Sequence, residues 1–211
     1  MTALLEELQD LYAGGDDVAG LRLTDRGIWH ATPLPVLAAA VPLIGECYLL
    51  TPRGRSQCLF DAGTGDGRLL AALALGLPRA CDIRLLGLEC DGALVVAARK
   101  TLAAVPRRSL APNRQIFVSE GDFFDPSAYV PLGVAPGDLD LVFNYPDGNE
   151  RRLLRWLAEH GGPETRLVIL SPDRDPALGQ PPEWREEVRP EGDAAAPWSL
   201  NVFRAPATGR W

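Results

Sequence analysis

Paired cysteines, a membrane-length apolar run and an excess of positive charge are all missing from this 211-residue chain. Each absence closes off a class of function. The four cysteines, Cys47, Cys58, Cys81 and Cys90, lie far apart and form no C-x-x-C pair. The sequence therefore suggests neither a zinc site nor a disulfide framework, and no metal is expected. They read as small hydrophobes in a reducing cytoplasm. The longest apolar region, Leu34 to Leu50, is interrupted by Pro35, Pro42, Gly45 and Glu46, and it falls short of the ~20 residues that cross a bilayer. Glu6, Glu7 and Asp10 stand where a secretory signal carries basic residues, so a cytoplasmic location is expected. A formal charge of −7 argues against an extended nucleic-acid footprint, because such binders use Lys and Arg to displace counterions. No internal repeat and no long linker divides the chain. With 46% hydrophobic residues it can bury a substantial core as one domain, residues 1–211.

The most informative stretch runs from Leu59 to Arg68, where a short apolar strand enters a glycine-rich turn that opens a helix. Glycines at alternate positions allow a tight turn and close approach to a ligand, which places a nucleotide-like molecule at the head of a sheet. A dinucleotide fingerprint, G-x-G-x-x-G, needs a glycine at position 68. Arg68 stands there instead, and the pattern is Asp61-x-Gly63-x-Gly65-x-Gly67.

Around this loop the elements alternate. Helices are expected from Ala3 to Tyr12, closed by Gly14-Gly15, and from Thr32, with Pro33 at its first position. Strands follow at Gln57 to Ala62, Ile83 to Leu88, Gln115 to Ser119, Leu139 to Asn144 and Arg166 to Leu170. Helices are expected between them at Asp66 to Leu75, Asp91 to Ala104 and Glu150 to Glu159. This alternation implies right-handed crossovers and a parallel sheet covered on both faces. Trp184 to Val188 and Ser199 to Arg204 read as two more strands, too closely spaced for a crossover helix and suited to an antiparallel hairpin. The expected fold is α/β, a doubly wound, mostly parallel seven-stranded sheet with a C-terminal antiparallel hairpin. An N-terminal helical segment, residues 1–56, precedes a Rossmann-like core, residues 57–211.

The loop resembles the first motif of the class I S-adenosylmethionine-dependent methyltransferases, and the terminal hairpin resembles the closing strands of that fold. The resemblance implies S-adenosylmethionine as cofactor, held by Asp61, Gly63, Gly65 and Gly67. It implies that Glu89 accepts hydrogen bonds from the ribose hydroxyls, with Cys90 as an apolar wall. It implies that Asp122 accepts from the adenine amine while Phe123 walls the base. Phe124 is expected to fill the core. Asn144-Tyr145-Pro146-Asp147 is similar to the Asn/Asp-Pro-Pro-aromatic motif of amine methyltransferases, with Tyr145 and Asp147 departing from it. Asn144 is the expected acceptor-orienting residue and is also expected beside the cofactor, and Asp147, Tyr145 and His30 are the candidate bases, in that order.

Thr32-Pro33 together with Asp66-Gly67-Arg68 is similar to a small protein-lysine methyltransferase group. Trp29 and His30 either line the acceptor site or anchor an N-terminal helix. The expected acceptor is an amine nitrogen of a small molecule or of a lysine side chain in a peptide or protein, with nucleic acid disfavoured. An NAD(P)-dependent oxidoreductase and a noncatalytic S-adenosylmethionine-binding subunit remain as alternatives.

Overall fold

Burial along each strand states where it sits. In the computed structural model, which describes residues 3–13, 21–24, 27–49, 56–80, 82–105, 114–172, 176, 178–190 and 197–205, all six residues of β3 (Gln57–Ala62) are buried. β4 (Ile83–Glu89) is buried at every position but Arg84. Strands covered on both faces read as continuous apolar runs and occupy the centre of a parallel sheet. β5 (Gln115–Glu120) has no fully buried residue and forms one edge. Including β6 (Leu141–Asn144), β7 (Arg166–Ser171), β8 (Trp184–Val188) and β9 (Trp198–Arg204), the seven strands run β5-β4-β3-β6-β7-β9-β8. The pairs from β5 to β7 are parallel, and β7–β9 and β8–β9 are antiparallel. The expected fold class is therefore the observed one.

The sheet divides the core in two. On one face α1 (Ala3–Tyr12), α2 (Leu34–Leu49) and α3 (Arg68–Gly76) bury Leu8, Leu37, Ile44, Leu70 and Leu73 against Leu59, Leu85, Phe143 and Val168. On the other, α5 (Glu150–His160) and a 3-10 segment (Pro126–Leu132) bury Leu153, Leu157 and Tyr129 against Phe60, Leu86 and Ile169. α4 (Gly92–Ala104) is capped by Asp91, whose carboxylate accepts from the amides of Ala93 and Leu94. α3 is fastened at its far end by buried Arg114, whose guanidinium donates to the carbonyls of Ala74, Leu77 and Pro78.

Two features differ from the expectation. α2 begins at Leu34 rather than at Thr32, the Pro33 carbonyl accepting from the amides of Val36 and Leu37. A two-stranded antiparallel sheet, β1 (Leu21–Thr24) with β2 (Gly27–His30), precedes α2 where no strand was expected. The described residues between β7 and β8 contain no helix, as the proline-rich sequence there indicates. Gly14, Gly15, Cys47 and Cys81 fall where backbone or side chain is not described. Among the described residues no helix is long and apolar enough to cross a membrane.

Candidate functional site

Strand order reverses around β3, which lies between β4 and β6. In open α/β sheets ligands bind outside the carboxyl ends of the strands at such a point. Ala62, the last residue of β3, is the register partner of Asn144, the last residue of β6. A cavity of about 370 Å³ opens there, lined from the expected set by His30, Asp61, Gly63, Glu89, Cys90, Asp122, Phe123, Asn144, Tyr145 and Asp147.

Gly63, Gly65 and Gly67 all have left-handed backbone, φ 81, 55 and 85°, a conformation that glycine adopts without steric cost. Their amides are already used within the fold. The N–H groups of Gly63 and Thr64 both donate to the Leu88 carbonyl at 3.0 Å, and that of Gly67 donates to the Thr64 carbonyl at 2.9 Å. The Gly65 N–H donates to Glu89 Oε2 at 2.9 Å. Gly65 and Gly67 are not among the residues that line the cavity. A Cβ on Gly67 would stand 3.3 Å from that of Ala98, so its bareness lets α3 approach α4. A Cβ on Gly65 would stand 2.1 Å from the indole nitrogen of Trp29, so β2 lies directly on the loop.

The loop is an acidic cradle. Asp61 is 6% exposed and accepts from Thr64 Oγ1 at 2.9 Å. Burial, above all, pushes its carboxyl up to about 7; the Thr64 hydrogen bond opposes this, and the charges of Glu89 and Asp66 add to it. Glu89 is equally buried, its Oε1 accepting from the Asp91 amide at 2.9 Å. Burial also raises the Asp66 carboxyl, partly offset by Arg68, whose Nε donates to it at 2.7 Å. The Arg68 guanidinium in turn lies 5.1 Å from the centre of the Tyr12 ring.

Beyond β5, Asp122 is exposed and accepts from the Phe124 amide at 2.9 Å. Phe123 and Phe124 form a tilted pair at 4.5 Å. Phe124 packs against the core as expected and also faces the cavity, with the Arg152 guanidinium 3.7 Å from its ring centre.

At β6, Asn144 is 4% exposed. Its Nδ2 donates to the Ala62 carbonyl at 3.2 Å, which fixes the amide, while its Oδ1 is buried with no partner among the described residues. The Tyr145 ring stacks on His30 at 5.5 Å and 24° and meets Trp198 at 6.1 Å. His30 Nδ1 is likewise buried without a partner among the described residues. Asp147 stands exposed at the rim, accepting from the backbone and side-chain N–H groups of Asn149. Such turn bonding occupies the carboxylate that the sequence placed first among the bases. His160 ends α5 in an exposed position, stacked on Trp156, and does not line the cavity.

Sequence reasoning did not assign Thr64, Arg68, Asn149 or Arg152 to this cavity, nor Leu37, Ile44, Val168, Leu170 and Leu200. Thr64 and Arg68 lie inside the motif itself and carried that signal. The aliphatic residues read only as core.

No family model matches the sequence, and no curated protein matches it. Solved structures do. An RNA methyltransferase from Salinibacter ruber in complex with S-adenosyl-L-homocysteine superposes with TM-score 0.53 at 24% identity, covering 83% of this chain and 94% of that one. The rRNA methyltransferase aviRa from Streptomyces viridochromogenes gives TM-score 0.63 at 18% identity, covering 95% and 92%. The fold is that of the class I methyltransferases. An O-methyltransferase from Bacillus cereus in complex with S-adenosyl-L-homocysteine gives 0.54 at 16%, covering 97% and 92%. These class I structures are named for RNA and oxygen acceptors and lend nothing to the resemblance to lysine methyltransferases.

Proposed function

We propose that the chain transfers a methyl group from S-adenosylmethionine to an amine nitrogen, by in-line displacement at the end of β6. The observation that carries this reading is Asn144, which lines the same cavity as the Asp61–Glu89 cradle and whose buried Oδ1 has no partner among the described residues. A pyrophosphate suits the cradle poorly. Two buried carboxylates repel it, and the amides of Gly63, Thr64, Gly65 and Gly67 are spent on Leu88, Thr64 and Glu89. This disfavours a dinucleotide oxidoreductase.

A ligand with an ammonium and a ribose fits instead. The Asp61 carboxylate, costly to ionise in isolation, is stabilised by a cation beside it. Glu89 keeps lone pairs for hydroxyl donors. Cys90, Asp122 and Phe123 offer apolar walls and an acceptor for an adenine. When bound, S-adenosylmethionine supplies a methyl carbon already activated by its sulfonium. The protein's remaining work is positioning, which Asn144 Oδ1 performs by accepting an N–H of the acceptor and aiming the nitrogen lone pair. His30 lines the cavity and its buried Nδ1 has no partner among the described residues, so it takes the place of Asp147 as the group that receives the acceptor's proton. The acceptor class is the amine of a small molecule or a lysine-bearing peptide.

Calorimetric titration with S-adenosylhomocysteine and NADH, followed by transfer of radiolabelled methyl to amine acceptors, tests this. Binding of the first and not the second, with label incorporated, is expected. Preference for NADH overturns the reading, and binding without any transfer moves the chain to a noncatalytic role.

A further inference from the structure

Among the described residues that line the cavity are five carboxylates, Asp61, Asp66, Glu89, Asp122 and Asp147, and two arginines, Arg68 and Arg152. The two arginines belong to different ends of the site. Arg152 is exposed on α5 and rests on the Phe124 ring beyond β5. Arg68 ends the turn from β3 to α3 that begins beside Asp61, and its side chain is only 13% exposed.

Helix chemistry alone does not account for an arginine there. Arg68 is the first residue of α3, where the helix dipole disfavours a cation, and Gly67 before it supplies no side-chain cap. Its Nε donates to Asp66 at 2.7 Å, and the guanidinium lies over the Tyr12 ring. The Tyr12 hydroxyl donates to the Asp66 carbonyl at 3.4 Å, so α1 holds Asp66 and Arg68 together against the loop. These contacts use one of the five guanidinium N–H groups and one face of the plane. The N–H groups on Nη1 and Nη2 have no hydrogen-bond partner among the described residues. Asp66 is moreover a weak counterion, because burial raises its carboxyl above the ordinary value.

We infer that Arg68 receives the carboxylate at the amino-acid end of the bound cofactor, while Asp61 takes the ammonium on the same carbon. This rests on the S-adenosylmethionine reading above and deepens it. An acidic cradle attracts an ammonium and repels the carboxylate joined to it, and a guanidinium beside the cradle reverses the second effect. The paired N–H groups of an arginine edge match the two oxygens of a carboxylate. Arg152 is unsuited to the task, since α5 packs on the opposite face of the sheet from α1 and α3. A ligand with the ammonium alone gains nothing from Arg68. The position therefore selects the amino-acid form of the cofactor over its decarboxylated form.

The test titrates three adenosine thioethers calorimetrically into the full chain: S-adenosylhomocysteine, its decarboxylated aminopropyl analogue, and 5′-methylthioadenosine, which carries neither charge. In the wild-type chain S-adenosylhomocysteine is expected to bind about 10- to 100-fold more tightly than the decarboxylated analogue, the range for hydrogen bonds between charged groups. Arg68→Met is expected to close that gap by weakening S-adenosylhomocysteine alone. The other two ligands should stay within about threefold, which shows in the same titrations that the variant is folded. Arg68→Lys keeps a charge beside Asp66 without the planar fork and is expected to retain part of the gap; it decides the matter if the methionine variant binds nothing. Equal affinity of the two amines for the wild-type chain overturns the inference and leaves the cofactor reading standing. So does an undiminished gap in Arg68→Met, or an equal loss for all three ligands in both variants, the mark of a residue that only shapes the loop. Failure of all three to bind the wild-type chain overturns the cofactor reading and the inference with it.

Discussion

Asp61 concentrates the electrostatic argument in one carboxyl. Its ordinary value is 3.8 and the folded chain holds it at about 7. Between those values the folded chain keeps a proton that the unfolded chain releases, so this residue makes stability fall as pH rises from about 4 to 7, with no further loss above that range. Asp61→Asn keeps a partner for Thr64 and removes the penalty. The variant should be more stable than wild type at pH 8 by about 2–4 kcal/mol, because each pH step of one between the two values costs wild type about 1.4 kcal/mol. It should show a flatter pH profile in urea unfolding, and an unchanged slope contradicts the assignment. The same residue should make the affinity of a cationic ligand fall up to tenfold for each further step of one as pH drops below about 7. Asn144→Ala is expected to reduce turnover about 100-fold, because a misplaced nucleophile loses in-line geometry, while S-adenosylhomocysteine affinity stays within about threefold. Single-turnover kinetics and calorimetry separate the two effects. These residues were legible because each sits at the end of a strand bounded by glycine or proline. The contact of Trp29 with Gly65 was not, because 36 positions separate the two and neither residue type announces the other.

Two strands have the ends expected from the sequence, Gln57–Ala62 and Trp184–Val188. β1 and β2 were missed because strands of four residues are too short to display a period of two. The sequence left Trp29 and His30 either lining the acceptor site or anchoring an N-terminal helix, and β2 carries both to the cavity. Arg114 is a second long-range element that the sequence conceals. Its acceptors Ala74, Leu77 and Pro78 lie 36 to 40 positions earlier. A buried guanidinium at a helix C-terminus satisfies carbonyls that lack intrahelical partners and complements the helix dipole. Arg114→Met should destabilise the chain by about 3 kcal/mol in urea unfolding, since hydrogen bonds from a charged donor contribute about 1.5–3 kcal/mol each and the orphaned carbonyls recover part of that through water. The loss should also slacken α3, whose other end is the glycine loop, so cofactor affinity should fall with it.

At the scale of the whole molecule, the sheet order decides where a ligand sits and the charge decides which acceptors approach. Two of the similar structures are named for RNA substrates, so RNA is the acceptor class that a likeness of fold alone would favour. The formal charge of −7 works against it, and so does the concentration of Asp61, Asp66, Glu89, Asp122 and Asp147 around one cavity. Among the described residues α5 presents exposed Arg151, Arg152 and Arg155 on the side of the cavity that Arg152 lines, and Arg152 is already seated on Phe124. Three arginines can neutralise at most three phosphates. For single-stranded RNA that limits the slope of log affinity against log salt to about −2, where a dedicated binder with six or more contacts has a slope of about −4 or steeper. Fluorescence anisotropy with a labelled single-stranded RNA, repeated from 50 to 200 mM salt in steps, measures that slope as an order-of-magnitude discriminator. The expected outcome is weak binding with a shallow slope. Tight binding with a steep slope would mean that nucleic acid is the acceptor class. The acceptor would then have to be reassigned even though the cradle, the strand order and Asn144 stayed where they are.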